Sequence, residues 1–397
     1  MQKVKIIRLK NLAFLLPLYI KAIGKNLRQI KSFLGFRQSP HSKRSPCLGG
    51  NVSRRIVVCL VCFWGLHLSG IALSEQKIKG VPVIIDTDCA IQDMMAILYL
   101  LNCIQVDIQA ITTVGNGMSR LQYGTRNVLN LLELAGYSDI PVAYGAQTSL
   151  SPAGFYPLEW RKQTDHVMGI KLPDNPKSPV LLPSWQLMVD MIVNSRDKLS
   201  LLCLGPLTNL AIALEKAPAI KDNIKDVYIA GGAVTCPGNL VGRPQGFKNL
   251  AAEYNIFLDA QAAHRVLQSG LNVVLIPLEI ARSVPVSHTF YQKIKIERHT
   301  SACNFVYEIL NPFKGREKKL ETPLWSPLAA ALMMHPEMGR SQKLKVNLNL
   351  KKGPEYGKII MDKSGGYSLR IFTDVNVCAF YNTFLRTLNH SFPLTRD

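Results

Sequence analysis

The chain has 397 residues, 47% of them hydrophobic and only 19% charged. That composition excludes a disordered chain and is enough for one large α/β domain or two ordinary ones. A net charge of +20 suggests nucleic acid until it is located: residues 1–78 hold 14 Lys and Arg against one acid, Glu75, so +13 sits there and +7 is left for the other 319 residues. There is no dense Lys/Arg stripe with interleaved aromatics, so nucleic acid is set aside as a partner.

The N-terminal arm comes first. Arg54-Arg55 precedes "IVVCLVCFWGLHLSGIALSEQ", a basic start followed by an apolar run and small residues at Ala72-Leu73-Ser74. This is the pattern of a signal peptide, with an uncleaved membrane anchor as the second reading. Upstream, "KNLAFLLPLYIKAIGKNLRQIKSFLGF" is basic and amphipathic. It reads either as a helix on a membrane surface or as translation from an upstream start codon. Residues 1–78 are therefore expected to be an arm with a leader or anchor, and 79–397 the folded domain. That domain is expected outside the cytoplasm, exported or anchored. Three of nine cysteines (Cys47, Cys59, Cys62) lie in the arm, and the other six are scattered in mostly apolar segments as small core residues.

From Val81 the pattern alternates. "VPVIID" reads as a strand and "AIQDMMAILYLLNC" as a helix, then "VDIQAITTV" as a strand and "SRLQYGTRNVLNLLELAG" as a helix ending at Gly136. "IPVAYGA" is a short strand. After a long loop come the helix "SWQLMVDMIVNS", the strand "LSLLCLG" and the helix "PLTNLAIALEKAPAI". The strand "IKDVYIAGG", the helix "AQAAHRVLQSG" and the strand "LNVVLIPLEI" follow. Apolar strands alternating with helices predict a single α/β domain, a mostly parallel sheet flanked by helices.

In such sheets, ligands bind at the carboxyl ends of the strands. Asp86 and Asp88 fall at the end of the first strand, and Asp93 in the first turn of the next helix. Carboxylates converging there either bind a hard cation or share protons. The plainer reading is that one caps the helix and another pairs with a Lys or Arg. No Ser–His–Asp elbow is visible. His166 reads as an exposed loop residue.

A longer set of motifs decides between these. "IIDTDCAIQDMMAIL" resembles the DxDxxxDD opening of the inosine–uridine-preferring nucleoside hydrolase family. "AITTVGNG", "LGPLTNLAIAL", "YIAGGAV", "AAEYNIFLDAQAAHRVLQSG", "TPLWSPLAAALMMHPE" and "IFTDVNVCAFYNTFLRTL" follow in that family's order. "YPLEWRKQTDHVMGIKLP" is similar to a Trp-Arg-containing loop of some members. The resemblance spans about residues 80–390. It implies hydrolysis of the N-glycosidic bond of a small-molecule ribonucleoside, giving base and ribose, with Ca2+ as cofactor. It also implies a homo-oligomer, although no interface is identifiable. By the same resemblance, Asp88 is the base and a metal ligand. Asp93, the carbonyl of Leu204 and position 326 complete the metal set. Gln92, Asn116, Glu253 and Asn255 bind the sugar, although Asn116 also reads as a turn residue. Base preference is not legible.

Three positions depart from the family's pattern. Gln92 replaces a carboxylate, Phe247 stands where a sugar-binding asparagine is usual (with Asn249 two residues on), and Ser326 replaces a metal-binding aspartate. Two lost carboxylates are expected to weaken or abolish Ca2+ binding. The sequence thus leaves open a working hydrolase, a catalytically impaired relative that binds a ligand or a protein, and a hydrolase with another substrate and a rearranged metal shell.

Overall fold

The computed structural model describes residues 80–151, 154–240, 249–311, 322–362 and 364–390. The leader or anchor expected in residues 1–78 and the departure at Phe247 lie outside the described residues. No helix among the described residues is long and apolar enough to cross a membrane.

The first strand, β1 (Val81–Thr87), leads into α1 (Ile91–Leu101), β2 (Val106–Thr113), α2 (Leu121–Ala135) and β3 (Val142–Tyr144). After α3 (Leu158–Asp165) and α4 (Ser184–Asn194), the chain forms β4 (Leu199–Cys203), α5 (Thr208–Lys216) and β5 (Ile224–Ala230). Then come α6 (Tyr254–Leu258), α7 (Ala260–Leu267), β6 (Val273–Ile276) and α8 (Leu278–Ala281). The last part holds α9 (His288–Glu297), α10 (Ser301–Leu310), α11 (Trp325–Met334), β7 (Gly339–Leu348), β8 (Ile359–Met361), β9 (Tyr367–Val375) and α12 (Val377–Leu388).

The strands form one sheet in the order β3-β2-β1-β4-β5-β6-β9-β7-β8. It is parallel as far as β9, and β7 and β8 add an antiparallel edge. β1 shows why its sequence is an unbroken apolar run. Successive side chains point to opposite faces, and Val83 and Ile85 enter one core while Ile84 enters the other. With helices on both faces, no position is left for a polar residue until the strand ends. The chain winds one way from β1 to β2 and β3, and the other way from β4 onward. The winding reverses at β1, and a crevice opens there beyond the carboxyl ends of the strands.

The predicted α/β architecture is the observed one, and three details differ. β7 and β8, and the helices α9 and α10, were not expected. "LNVVLIPLEI" is a strand only over Val273–Ile276, because Pro277 ends it and Leu278–Ala281 is helical. The Trp-Arg segment is a helix, α3, and not a loop. Among the described cysteines all are free, and Cys89, Cys103, Cys203 and Cys303 are buried.

The closing helix α12 fastens one core. Phe384 is fully buried, with its ring 5.4 Å from Tyr99 and 5.6 Å from Phe380. Phe384→Ala is expected to cost about 3–5 kcal/mol, read as a shift in the urea midpoint. An unchanged midpoint would show that α12 is not needed to hold this core.

Candidate active site

β1 ends in Asp86-Thr87-Asp88 and the chain must turn at once into α1. Cys89 makes that turn with a φ of 59°, a left-handed conformation that costs a non-glycine residue about 1–2 kcal/mol. The reward is geometric: the turn lays Asp88 and the first-turn residue Asp93 side by side. Both are buried, and their carboxyls are near enough that each shifts the ionisation of the other.

Their remaining bonds come from uncharged donors. Asp88 accepts from the backbone N–H of Met118 (2.8 Å) and of Ala90 (3.3 Å). Asp93 accepts from the hydroxyls of Thr87 and Ser326 (both 2.6 Å) and from Ala90 N–H (3.2 Å). Neither forms a salt bridge among the described residues, although the Arg161 guanidinium is near enough to favour the ionised form of Asp88. Burial is the largest influence and pushes both carboxyls up. For Asp93 the adjacent Asp88 adds to it. The capping reading is thus partly right, since both carboxylates take the Ala90 N–H. Pairing with a Lys or Arg is not seen among the described residues.

The wall behind Asp88 is the loop between β2 and α2. A Cβ on Gly117 would lie 2.2 Å from Asp88 Oδ2, so only glycine lets the loop lie on the carboxylate. Helix α3 grips this loop: Arg161 donates to the carbonyls of Gly115 (2.8 Å) and Ser119 (3.2 Å). Asp165 takes Ser119 Oγ (2.7 Å), Arg120 N–H (2.8 Å) and the Arg120 guanidinium.

A cavity of about 270 Å3 opens over the pair. Asp88, Gln92, Asp93, Leu204, Glu253, Asn255 and Ser326 all line it, so seven of the eight residues picked from the sequence meet there. Glu253 caps α6, accepting from Asn255 N–H (2.9 Å), Ile256 N–H (3.1 Å) and Gly232 N–H (3.1 Å). Burial raises its carboxyl to about 7. Asn255 donates through Nδ2 to the carbonyls of Leu204 (2.9 Å) and Ala230 (3.0 Å).

Asn116, the eighth residue, stands behind the wall and not on it. Its Nδ2 goes to Ser149 (2.8 Å) and Thr208 (2.9 Å), while its Oδ1 is buried without a partner. Gln92 is held at both ends of its amide, donating to Pro323 O (2.7 Å) and accepting from Trp325 N–H (2.7 Å). It pins α1 to the entry of α11. Asn249 does not take the place of the missing sugar-binding asparagine: its amide is committed to Tyr356 O, Ala251 N–H and Ala252 N–H, and it does not line the cavity.

Asp86, two residues before Asp88, is structural. It accepts from Thr112 (2.7 Å) and Asn209 (2.8 Å), and burial raises it to about 7. Sequence reading missed Tyr156, Met118, Met168 and Trp325, which also line the cavity. Their positions carry no polar spacing that marks a site.

The donors that could hold a cation are two carboxylates, the Leu204 carbonyl and the Ser326 hydroxyl. All are oxygens, the chemistry of a hard cation. Two buried carboxyls that must share a proton are also what a cation would relieve. The donor set is therefore that of a hard divalent cation, with two formal charges. Among the described residues no group of three or more His, Cys, Asp or Glu is placed to hold a metal ion, so the set offers two carboxylates and no third.

The chain matches the description "Inosine-uridine preferring nucleoside hydrolase" over residues 83–382. A non-specific ribonucleoside hydrolase, RihC of Salmonella newport (strain SL254), is 29% identical over 286 residues, 71% of this chain and 88% of the relative. The structure of an inosine-uridine preferring nucleoside hydrolase from Bacillus anthracis superimposes with a TM-score of 0.68 at 22% identity, covering 78% of this chain and 99% of the other. A purine-preferring ribonucleoside hydrolase from Gardnerella vaginalis gives 0.66 at 25% identity, covering 78% and 98%.

Two tests follow from this geometry. In EDTA, Gln92→Asp should destabilise the fold by about 1–3 kcal/mol, because a carboxylate has no donor for Pro323 O and adds charge beside Asp93. An unchanged urea midpoint would mean that the clasp contributes nothing. Glu253 binds a proton in the fold up to about pH 7, against 4.5 for its ordinary value. The unfolded chain thus loses that proton first, and the contribution of Glu253 to stability falls as pH rises from about 4.5 to 7. Melting curves in EDTA should show a flatter dependence over that window for Glu253→Gln than for wild type; parallel curves would refute the assignment.

Proposed function

This chain belongs to the inosine-uridine preferring nucleoside hydrolase family, and from that premise we propose that its cavity hydrolyses the N-glycosidic bond of a ribonucleoside or related N-riboside, releasing base and ribose. The observation that carries the proposal is the buried Asp88–Asp93 pair on the floor of a cavity shared with Glu253 and Asn255. Asp88, Asp93, the Leu204 carbonyl and Ser326 would hold Ca2+. When bound, the ion supplies positive charge that makes water more acidic and gathers sugar hydroxyls.

In this reading Asp88 removes a proton from water as the oxygen attacks the anomeric carbon. The C–N bond breaks, its electron pair leaves with the base, and the base nitrogen takes up a proton. Met118 N–H and Ala90 N–H keep the Asp88 carboxylate aimed, and Gly117 leaves room for it. Glu253 accepts from sugar hydroxyls, while Asn116, which does not line the cavity, braces the wall through Ser149 and Thr208. Negative charge on this floor favours a sugar that becomes cationic as the bond breaks.

One observation favours a second reading, a catalytically impaired relative that binds a ligand or a partner. At Gln92 and Ser326 the side chains are engaged in holding α11 and Asp93, and neither brings a charge to the floor. Placement of the domain outside the cytoplasm and assembly into homo-oligomers are part of the same proposal.

The experiment is base release from a nucleoside panel together with calorimetry of Ca2+ on the purified protein. Asp88→Asn should lower turnover by about 10²–10⁴, and Ser326→Asp should tighten Ca2+ binding by restoring a carboxylate. Wild type that releases no base and takes up no Ca2+ at millimolar concentration would hand the argument to the second reading.

A further inference from the structure

Tyr156 comes from the irregular segment ahead of α3, and only 9% of its surface is exposed. Its ring lies on that of Tyr254, with centroids 4.1 Å apart and planes 14° from parallel. Tyr254 directly follows Glu253, so the stack fixes Tyr156 relative to the carboxylate that caps α6. Aromatic pairs in this geometry are held by about 0.5–1.5 kcal/mol beyond burial.

The side chain lines the cavity beside Asp88, Asp93, Glu253 and Asn255. Its hydroxyl has no hydrogen-bond partner among the described residues. The hydroxyls of Tyr291, Tyr356, Tyr367 and Tyr381 have one: Asn311, Ser151, His264 and the Pro285 carbonyl. Tyr99 also lacks one, but it lies in the core and does not line the cavity. Tyr156 does line it, so its uncommitted O–H is available to a ligand held there.

The chemistry of the surroundings says what that ligand must offer. Asp88, Asp93 and Glu253 are acceptors, and the Asn255 amide N–H groups already go to two carbonyls. A sugar hydroxyl that donates to a carboxylate still has lone pairs to place. The phenol is an uncommitted donor within this acceptor-rich corner. Burial, with Asp88 and Glu253 adding to it, holds the phenol well above its ordinary value, so it remains a donor and is no base.

We propose that Tyr156 is a substrate-binding residue whose phenolic O–H donates to a sugar hydroxyl of the bound riboside. The inference rests on the hydrolase reading above. It also gives a reason for the Tyr156–Tyr254 stack: a donor meant for one hydroxyl must be held still.

Tyr156→Phe keeps the ring and its stack and removes only the O–H. Expected are an unchanged melting temperature and about a tenfold loss of kcat/KM on inosine and uridine. The loss should vanish for one of the 2′-, 3′- and 5′-deoxy analogues, the one that lacks the contacted hydroxyl. For an analogue that is not hydrolysed, its inhibition constant against inosine reads the same contact. Equal constants for both proteins on every substrate, or an equal loss on every analogue, overturn the proposal. If wild type hydrolyses no nucleoside, calorimetry with inosine separates the two claims. Binding about tenfold weaker in Tyr156→Phe keeps the contact while the hydrolase reading falls. Equal binding, or no binding to wild type, overturns the contact as well.

Discussion

The structure is organised around the repulsion between two carboxylates that burial forces together. Asp88 and Asp93 sit at the end of β1 with no salt bridge among the described residues. Removing an ion from water costs several kcal/mol even after relaxation, more than the 1–2 kcal/mol of backbone strain at Cys89 that brings the pair together. That larger cost explains the neighbourhood. Two backbone N–H groups, two hydroxyls and the Arg161 guanidinium beyond the loop all oppose the negative charge. None of them neutralises it by direct pairing, so the pair can still take a proton or a cation.

The same constraint gives meaning to the substitutions. A third carboxylate at position 326 would add repulsion to a floor that already holds two. Ser326 instead donates to Asp93, which lowers the cost of keeping that carboxylate charged. Gln92 uses the two-sidedness of an amide, one donor and one acceptor, to tie α1 to the start of α11. The site is therefore quieter in charge than the family pattern, yet seven of the eight expected residues share one cavity.

Much of this was legible in the chain. Unbroken apolar strands alternating with helices required a sheet covered on both faces, and the aspartates after "VPVII" could only sit where that cover ends. The edge strand β7 was legible but overlooked: Leu344, Val346 and Leu348 alternate with Lys345 and Asn347, the period of a half-exposed strand. The Trp-Arg segment gave a weak helical signal because α3 is short and buries only Thr164 and Asp165. Asn116 shows the limit of motif reasoning. Asn-Gly marks a turn or a ligand contact equally well, and spacing does not say that its amide nitrogen is taken by Ser149 and Thr208.

The sequence by itself determined the family, the α/β architecture and the end of the sheet at which chemistry could occur. These depend on periodicity and short motifs, which are local. Tertiary structure alone decided what each polar atom faces. It placed Glu253 in the same cavity as Asp88, turned Gln92 into a clasp, and brought in Tyr156 from a segment whose likeness to a family loop gave that residue no role. Such partners lie from about 70 to more than 230 positions apart in the chain, and hydrogen bonds over that separation are fixed by the packing of helices on the sheet, which no local pattern records.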